Sequence, residues 1–197
     1  WLRLDRHGVD KRVSMTPTVN QFLGQLINFA ETGPIYVAGK VRSIEANLKL
    51  VIEGAGGECV ARGLDARKED DITAFLNEAD AHAPLEAVIF NVGANVNFPI
   101  LETTERVFFK VWEMACKAGF LTGREAARIM LKHGKGSIFF TGATASMRGG
   151  SGYAAFASAK FGLRAVAQSM ARELGPKNIH VAHLVIDGGV DSAAIRA

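Results

Sequence analysis

Residues Ser137–Gly150 read SIFFTGATASMRGG, and this stretch decides the fold. Its first five residues form a largely apolar run that is typical of a strand buried on both faces. The small residues and glycines that follow predict a loop. Tyr153–Leu174 then has the spacing of a helix, and Ile179–Ile186 forms a second apolar run. A buried strand, a crossover helix and a further buried strand make a right-handed βαβ unit, so we expect a parallel sheet covered by helices.

The same alternation of strands and helices continues toward the N-terminus. The further predicted strands are Ile35–Gly39, Cys59–Leu64 and Ala87–Asn91, and the further predicted helices are Ser43–Glu53, Glu69–Ala79 and Thr104–His133. No repeat, low-complexity tract or linker interrupts the 197 residues. The chain is therefore predicted to be a single α/β domain, residues 1–197, with a doubly wound, Rossmann-like parallel sheet.

Composition and charge argue against several classes of protein. The net charge of +3 is too small to indicate a nucleic-acid surface, and no apolar run approaches the roughly 20 residues of a membrane span. The N-terminal segment is charged and lacks the apolar stretch of a secretory signal. Cys59 and Cys116 have no ligand-like spacing and are interpreted as buried thiols in a reducing compartment. We expect a cytoplasmic protein without a metal site.

The first 34 residues have a weaker pattern. Val19–Thr32 has an apolar helical stripe that Gly33 closes, and Lys11–Met15 has the composition of a short, poor strand. The loop between them, Thr16–Val19, contains no glycine. We therefore expect residues 1–34 to form a degenerate first β-loop-α unit.

Several local patterns, taken in order, resemble the short-chain dehydrogenase/reductase family. They are FAETGPIYVAGK from Phe29, LDAR from Leu64, FNVGAN from Phe90, SIFFTGATASMRGG from Ser137, FASAK from Phe156, and NIHVAHLVIDGGVDS from Asn178. The match is good over residues 35–192. The resemblance implies a Rossmann-type fold and NAD(P)(H)-dependent oxidoreduction of a small carbonyl or alcohol. It also implies that the final helices and strand commonly found in this family lie beyond Ala197, so that the domain is incomplete at its C-terminal end.

Carried over by position, the family's catalytic side chains are mostly absent. The proton-donating tyrosine falls on Phe156, the serine on Ala143 and the relay asparagine on Ala115, whereas the lysine that contacts ribose is retained as Lys160. Tyr153, two helical turns before Lys160, is a candidate replacement acid, although packing at the start of a helix is the alternative. Ser146 and Thr144 lie near the serine position, and a small shift would let either supply a hydroxyl.

The same resemblance assigns the positions that would bind a nicotinamide nucleotide. The glycines of the pyrophosphate loop fall on residues such as Thr16, Asn20 and Phe22, whose side chains would obstruct the close approach of a phosphate. The other assigned positions are Lys40, Asp65, Asn91, Val92, Gly93, Lys160, Gly188, Val190 and Ser192.

Several of these cofactor assignments have structural alternatives. Lys160 would contact ribose or be a solvated lysine on a helix. Lys40 would suit a 2′-phosphate and so favours NADP(H) over NAD(H), unless it is an exposed charge at a helix start. Asp65 would bond adenine or cap the helix that begins near Lys68. Asn91 and Gly93 would line the crevice or form a turn of small residues.

Two helices also predict self-association. Family members commonly pair through the helices that correspond to Thr104–His133 and Tyr153–Leu174, which implies a homodimer or homotetramer. The residues assigned to this surface are Ala154, Ala157, Phe161, Ala165, Gln168, Ser169, Phe108, Phe109, Trp112 and Met114. Three interpretations stay open: an oxidoreductase with an unorthodox acid, a catalytically silent binding or assembly subunit, and an incomplete or frame-altered version of an active gene.

Overall fold

The structure is a computed structural model, and it describes residues 35–39, 49–50, 52–54 and 56–186. These residues form five strands, listed here in chain order: β1 Ile35–Gly39, β2 Cys59–Gly63, β3 Ala87–Phe90, β4 Gly136–Ala143 and β5 Ile179–Ile186. All the pairings between them are parallel, in the orders β1-β2 and β3-β4-β5. The α/β class and the parallel sheet expected from the sequence are confirmed.

Four α-helices accompany these strands: α1 Glu69–His82, α2 Glu105–Trp112, α3 Ala118–His133 and α4 Ala154–Leu174. Residues 49–50 and 52–54 are also helical, within the predicted helix Ser43–Glu53, and its remaining positions lie outside the described residues. The side chain of Thr104 caps α2 by accepting a hydrogen bond from the Val107 N–H at 3.3 Å. Gly134 ends α3 with a φ of 68°, which glycine adopts without strain.

The predicted helix Thr104–His133 is not uniform. A π-helical segment, Glu113–Lys117, separates α2 from α3. Such a turn holds one extra residue within an otherwise continuous helix, so an apolar stripe read from the sequence does not reveal it. The segment carries Ala115, which is fully buried.

The core lies between β4 and the helices α3 and α4. Ile138 and Phe140 on β4 are fully buried, as are Ile129 on α3 and Leu163 on α4. Burial along β4 alternates with a period of two, and the opposite face is half-buried among the described residues. The sequence predicted burial on both faces of this strand. The face that carries Phe140 is buried, and the opposite face is only half-buried.

Two glycines allow the helices around this core to approach closely. A Cβ on Gly119 of α3 would collide with a methyl group of Leu163 in α4, and a Cβ on Gly162 of α4 would lie 2.8 Å from the Cys116 sulfur. At both contacts the absence of a side chain brings α4 against the preceding helical segment. This packing positions the first half of α4, and with it Lys160, over the carboxyl ends of β3 and β4.

Candidate functional site

Lys160 is the retained family residue, and it lies inside the protein. Only 4% of the Lys160 surface is exposed to solvent. Nζ donates hydrogen bonds to the Thr141 carbonyl oxygen at 2.8 Å and to the Val92 carbonyl oxygen at 3.4 Å. Thr141 lies on β4 and Val92 follows β3, so Lys160 connects the ends of two adjacent strands to helix α4.

Burial changes the proton affinity of this lysine. Removal from water disfavours the charged amine and lowers the pKa of Lys160 from 10.5 to about 8. No carboxylate is among the causes of this shift, and the Phe156 ring lies 5.9 Å from Nζ. An aromatic face attracts a cation at that distance, but it offers no hydrogen-bond acceptor comparable to a phenolic oxygen.

The positions assigned to tyrosine and asparagine lie in one apolar cluster. Its fully or nearly buried members are Val111, Ala115, Cys116, Ala155 and Ala159, and Ala94, Val96, Val107, Phe108 and Phe156 pack against them. Ala115 has 0% exposure, so nothing polar at this point can reach solvent without rearrangement. The structure brings Phe156 and Ala115 together, as the resemblance implied, but as packing residues.

Ala143, at the serine position, ends β4 and is half-buried. Its N–H donates to the Ser146 hydroxyl at 3.1 Å, and Ser146 is fully buried. The Ser146 hydroxyl thus accepts a hydrogen bond within the 3₁₀ turn of Thr144–Ser146. Its replacement of the missing serine stays a prediction.

Asp65 is not the N-cap residue of helix α1, so the expectation that it takes that position was wrong. Helix α1 begins at Glu69, its N-cap is Lys68, and the Lys68 side chain makes no cap hydrogen bond. The Asp65 carboxylate instead accepts hydrogen bonds from the Arg67 guanidinium, at 2.8 Å from Nε and 2.5 Å from Nη2. This half-buried ion pair stands just beyond the end of β2. Contact between Asp65 and adenine stays a prediction.

The segment after β3 forms the floor of the candidate crevice. Asn91 and Gly93 are exposed, Val92 is half-buried, and residues 91–99 have no regular secondary structure. The Val92 carbonyl accepts from Lys160. A motif search could not have found this acceptor or the Thr141 carbonyl, because both belong to the backbone.

Other predicted site residues are less informative. Tyr153 is the half-buried residue that precedes α4, and its side chain makes no cap hydrogen bond. Lys40, Gly188, Val190 and Ser192 lie outside the described residues, as does the loop at Thr16–Val19.

His183 on β5 is a half-buried polar residue that the sequence reasoning did not assign to the site. Its Nε2 is buried without a hydrogen-bond partner, and its ring lies against Gly142 of β4. Burial, together with the positive charges of Arg164 and Lys160, lowers the pKa of His183 from 6.5 to about 4. The imidazole is therefore neutral at physiological pH. His180, three residues earlier on the same strand, contacts Phe139 on the opposite face of the sheet.

The described residues contain no group of three or more histidine, cysteine, aspartate or glutamate side chains that could hold a metal ion. Within the same part of the chain, no helix combines the length and apolarity required to cross a membrane.

Comparison with known proteins identifies the lineage. The family model for short chain dehydrogenase matches residues 28–196. The 3-oxoacyl-(acyl-carrier-protein) reductase MabA of Mycobacterium avium is 30% identical over 143 residues, which cover 72% of this chain and 54% of that protein. A probable tetrahydroxynaphthalene reductase of Zymoseptoria tritici is 26% identical over 192 residues, 95% of this chain and 71% of that protein. The chain thus spans about half the length of the reductases named MabA that it matches.

A solved structure supports the same assignment. The crystal structure of a short-chain dehydrogenase from Rhodopseudomonas palustris has 71% sequence identity and a TM-score of 0.78, and the match covers 83% of this chain and 78% of that chain. The fold is therefore the Rossmann-like α/β fold with an open parallel sheet in a single domain. From the matched motifs, the parallel sheet and these relatives together, the chain belongs to the short-chain dehydrogenase family.

Proposed function

We propose that this chain is a binding or assembly subunit of the short-chain dehydrogenase lineage that does not itself carry out the family's proton-coupled carbonyl reduction. The observation that carries the proposal is the apolar cluster around Phe156 and Ala115. Hydride transfer to a carbonyl requires a positioned proton donor beside the oxygen. Here the position assigned to that donor is a phenyl ring, and the relay position is a fully buried methyl group.

The energetics of the cluster support this interpretation. A buried hydroxyl or amide without a hydrogen-bond partner destabilises a fold by roughly 1–3 kcal/mol. An apolar side chain in the same place adds favourable burial instead. Phe156 and Ala115 therefore suit the apolar contact between α4 and the π-helical segment better than a polar side chain without a partner would.

The second candidate is an NAD(P)(H)-dependent oxidoreductase of a small carbonyl or alcohol, with NADP(H) favoured over NAD(H). Its support is Lys160, which keeps the family position, and the names of the reductases that the chain resembles. On this hypothesis a group other than the family tyrosine supplies the proton.

Calorimetric titration with NADPH and NADH separates the two candidates. The sequence lacks glycines in the pyrophosphate loop, and each lost charge-assisted bond weakens binding by about 1.5–3 kcal/mol. Loss of two such bonds lowers the affinity by two to four decades, so we expect weak or undetectable binding. A dissociation constant in the low micromolar range, with turnover of a ketone panel, would establish the oxidoreductase instead.

The proposed assembly uses the exposed aromatic residues of α2 and α4. Phe109, Trp112 and Phe161 are 55%, 38% and 42% exposed, which is a large aromatic area for surface helices. Ala157, which was assigned to the same surface, is buried within the chain and adds no area to it. We propose that a second copy covers the three aromatic side chains, giving a homodimer or homotetramer.

Light scattering tests the assembly. We expect a discrete mass at two or four times 21.1 kDa. Phe161→Asp should shift that mass to the monomer, because a charge would be buried in an apolar interface. Leu101→Asp, at a fully exposed position before α2, is the matched control and should leave the mass unchanged. A monomer at tens of micromolar for the unaltered chain would refute the assembly.

A further inference from the structure

Once the Lys160 amine loses a proton, its lone pair has no hydrogen-bond donor among its described partners. A neutral amine has two N–H donors and one lone pair. The Thr141 and Val92 carbonyl oxygens are placed to accept both N–H groups, at 2.8 and 3.4 Å from Nζ. Neither carbonyl can bind the lone pair, since both are acceptors. The two backbone carbonyl groups thus hold Nζ in place, and its lone pair can attack an electrophile.

Gly93 leaves space beside this nitrogen unfilled. Gly93 is exposed, and a Cβ built on it would lie 3.8 Å from Nζ. A small molecule that reaches the 4%-exposed lysine from the loop at residues 91–99 would therefore meet no side chain at position 93. On the other side, the Phe156 ring lies 5.9 Å from Nζ and belongs to the apolar cluster. A small molecule that enters past Gly93 would meet one nucleophilic nitrogen and an apolar wall.

We propose that Lys160 captures small aldehydes or ketones as a Schiff base, a covalent binding site that goes beyond the proposed binding or assembly role. The Nζ lone pair forms a bond to the carbonyl carbon, and the carbon–oxygen π electrons move to the oxygen, which takes up a proton. One proton of the carbinolamine nitrogen then moves to the hydroxyl, which leaves as water, and the lone pair that this frees on nitrogen forms the carbon–nitrogen double bond of a protonated imine. The overall exchange is amine, carbonyl and one proton for iminium and water, with no change in oxidation state.

The acid–base behaviour of the site supports this chemistry. The pKa of Lys160 is lowered to about 8 by burial, so roughly a tenth of the amine is neutral at pH 7. An exposed lysine with an ordinary pKa of about 10.4 has less than a thousandth of its amine neutral at that pH. Desolvation in an apolar pocket is a recognised way to make a lysine nucleophilic toward carbonyl groups. The titratable and charged groups that act on this region from the neighbouring elements are His183 on β5 and Arg164 on α4.

Reductive trapping with propanal and cyanoborohydride at pH 7 tests the proposal on the intact chain. Cyanoborohydride delivers hydride to the imine and leaves a stable propyl group, which peptide mass mapping locates. We expect the initial rate at Lys160 to exceed that at the exposed Lys110 at least tenfold. The rate at Lys160 should also increase with pH and level off above about pH 8, whereas the rate at an exposed lysine should continue to rise toward pH 10.

Two glycine variants show whether the route is as described. Gly93→Val places methyl groups beside Nζ and should reduce trapping at Lys160 at least fivefold. Gly149→Val is the matched control, because Gly149 is exposed with open space around its Cβ position, and trapping should be unchanged.

Lys160→Arg retains the charge but forms no stable imine under these conditions, so its peptide should carry no label. Circular dichroism establishes that each variant is folded. Labelling that follows exposure alone, with Lys160 slower than Lys110, overturns the proposal, and so does trapping that Gly93→Val leaves unchanged.

Discussion

The buried amine of Lys160 predicts a specific dependence of stability on pH. Its pKa is about 8 in the folded protein and 10.5 as the ordinary value. Since the folded pKa lies below the unfolded one, protonation favours the unfolded chain. This destabilisation is fully present below about pH 8 and disappears as the pH rises through 10.5. Between pH 7.5 and 9.5 the free energy of unfolding should gain about 2 kcal/mol from this one group.

Lys160→Gln isolates that contribution, because glutamine does not titrate. Urea unfolding of both proteins at intervals from pH 7.5 to 9.5 gives two stability curves, and all other titrating groups affect both. We expect the difference between the unaltered protein and the variant to change by about 2 kcal/mol in favour of the unaltered protein as the pH rises.

Lys110→Gln, which removes an exposed lysine, is the control and should give a curve parallel to that of the unaltered protein. Parallel curves for Lys160→Gln as well would refute the reasoning. They would show that the Lys160 amine is hydrated in solution and retains an ordinary pKa, which would also remove the basis for its enhanced reactivity toward carbonyl compounds at neutral pH.

Two further predictions concern the site and the helix packing behind it. Phe156→Tyr combined with Ala143→Ser should not produce NADPH-dependent reduction of a ketone panel, because an acid acts only on a bound and oriented hydride donor; measurable turnover would show that the nucleotide cradle is functional. Gly119→Ala should destabilise the protein by about 1–2 kcal/mol in urea unfolding, since the collision with Leu163 outweighs the higher helix propensity of alanine. A more stable Gly119→Ala protein would mean that α3 and α4 are farther apart than described.

The strand pattern could be predicted well because the strands are short, largely apolar runs bounded by turn residues and helices. Ile35–Gly39 and Ile179–Ile186 match the observed bounds, and the predicted strand at Ser137–Thr141 extends to Gly136–Ala143. The π-helical segment Glu113–Lys117 could not be predicted, because one inserted residue shifts the apolar stripe without ending it.

The sequence could predict which residues lie at the candidate site, but not the hydrogen bonds that they make there. Lys160, Phe156 and Ala115, which motif spacing assigned to one site, lie in one region of the fold, and their family roles stay a prediction. The partners of Lys160 are backbone carbonyl oxygens, which every residue provides and which spacing cannot select. Asp65 shows the same limit, because its bond to Arg67 two residues later competes with the cap that its position suggested.

On the proposed function, the residues at the three family positions are compatible with one another. An asparagine at Ala115 would bring an amide into a fully buried apolar cluster, and it would require a partner that Phe156 cannot provide. A tyrosine at position 156 would likewise need an acceptor, and serine at Ala143 would add a hydroxyl beside an N–H already satisfied by Ser146. Each apolar residue is thus favourable given the others, and restoring any one alone introduces a polar group without its network. The charge of Lys160 remains because the Thr141 and Val92 carbonyls hold it independently of that network. The two backbone carbonyl oxygens thus hold the amine whatever occupies positions 115, 143 and 156, and for this reason the proposed carbonyl capture begins at Nζ.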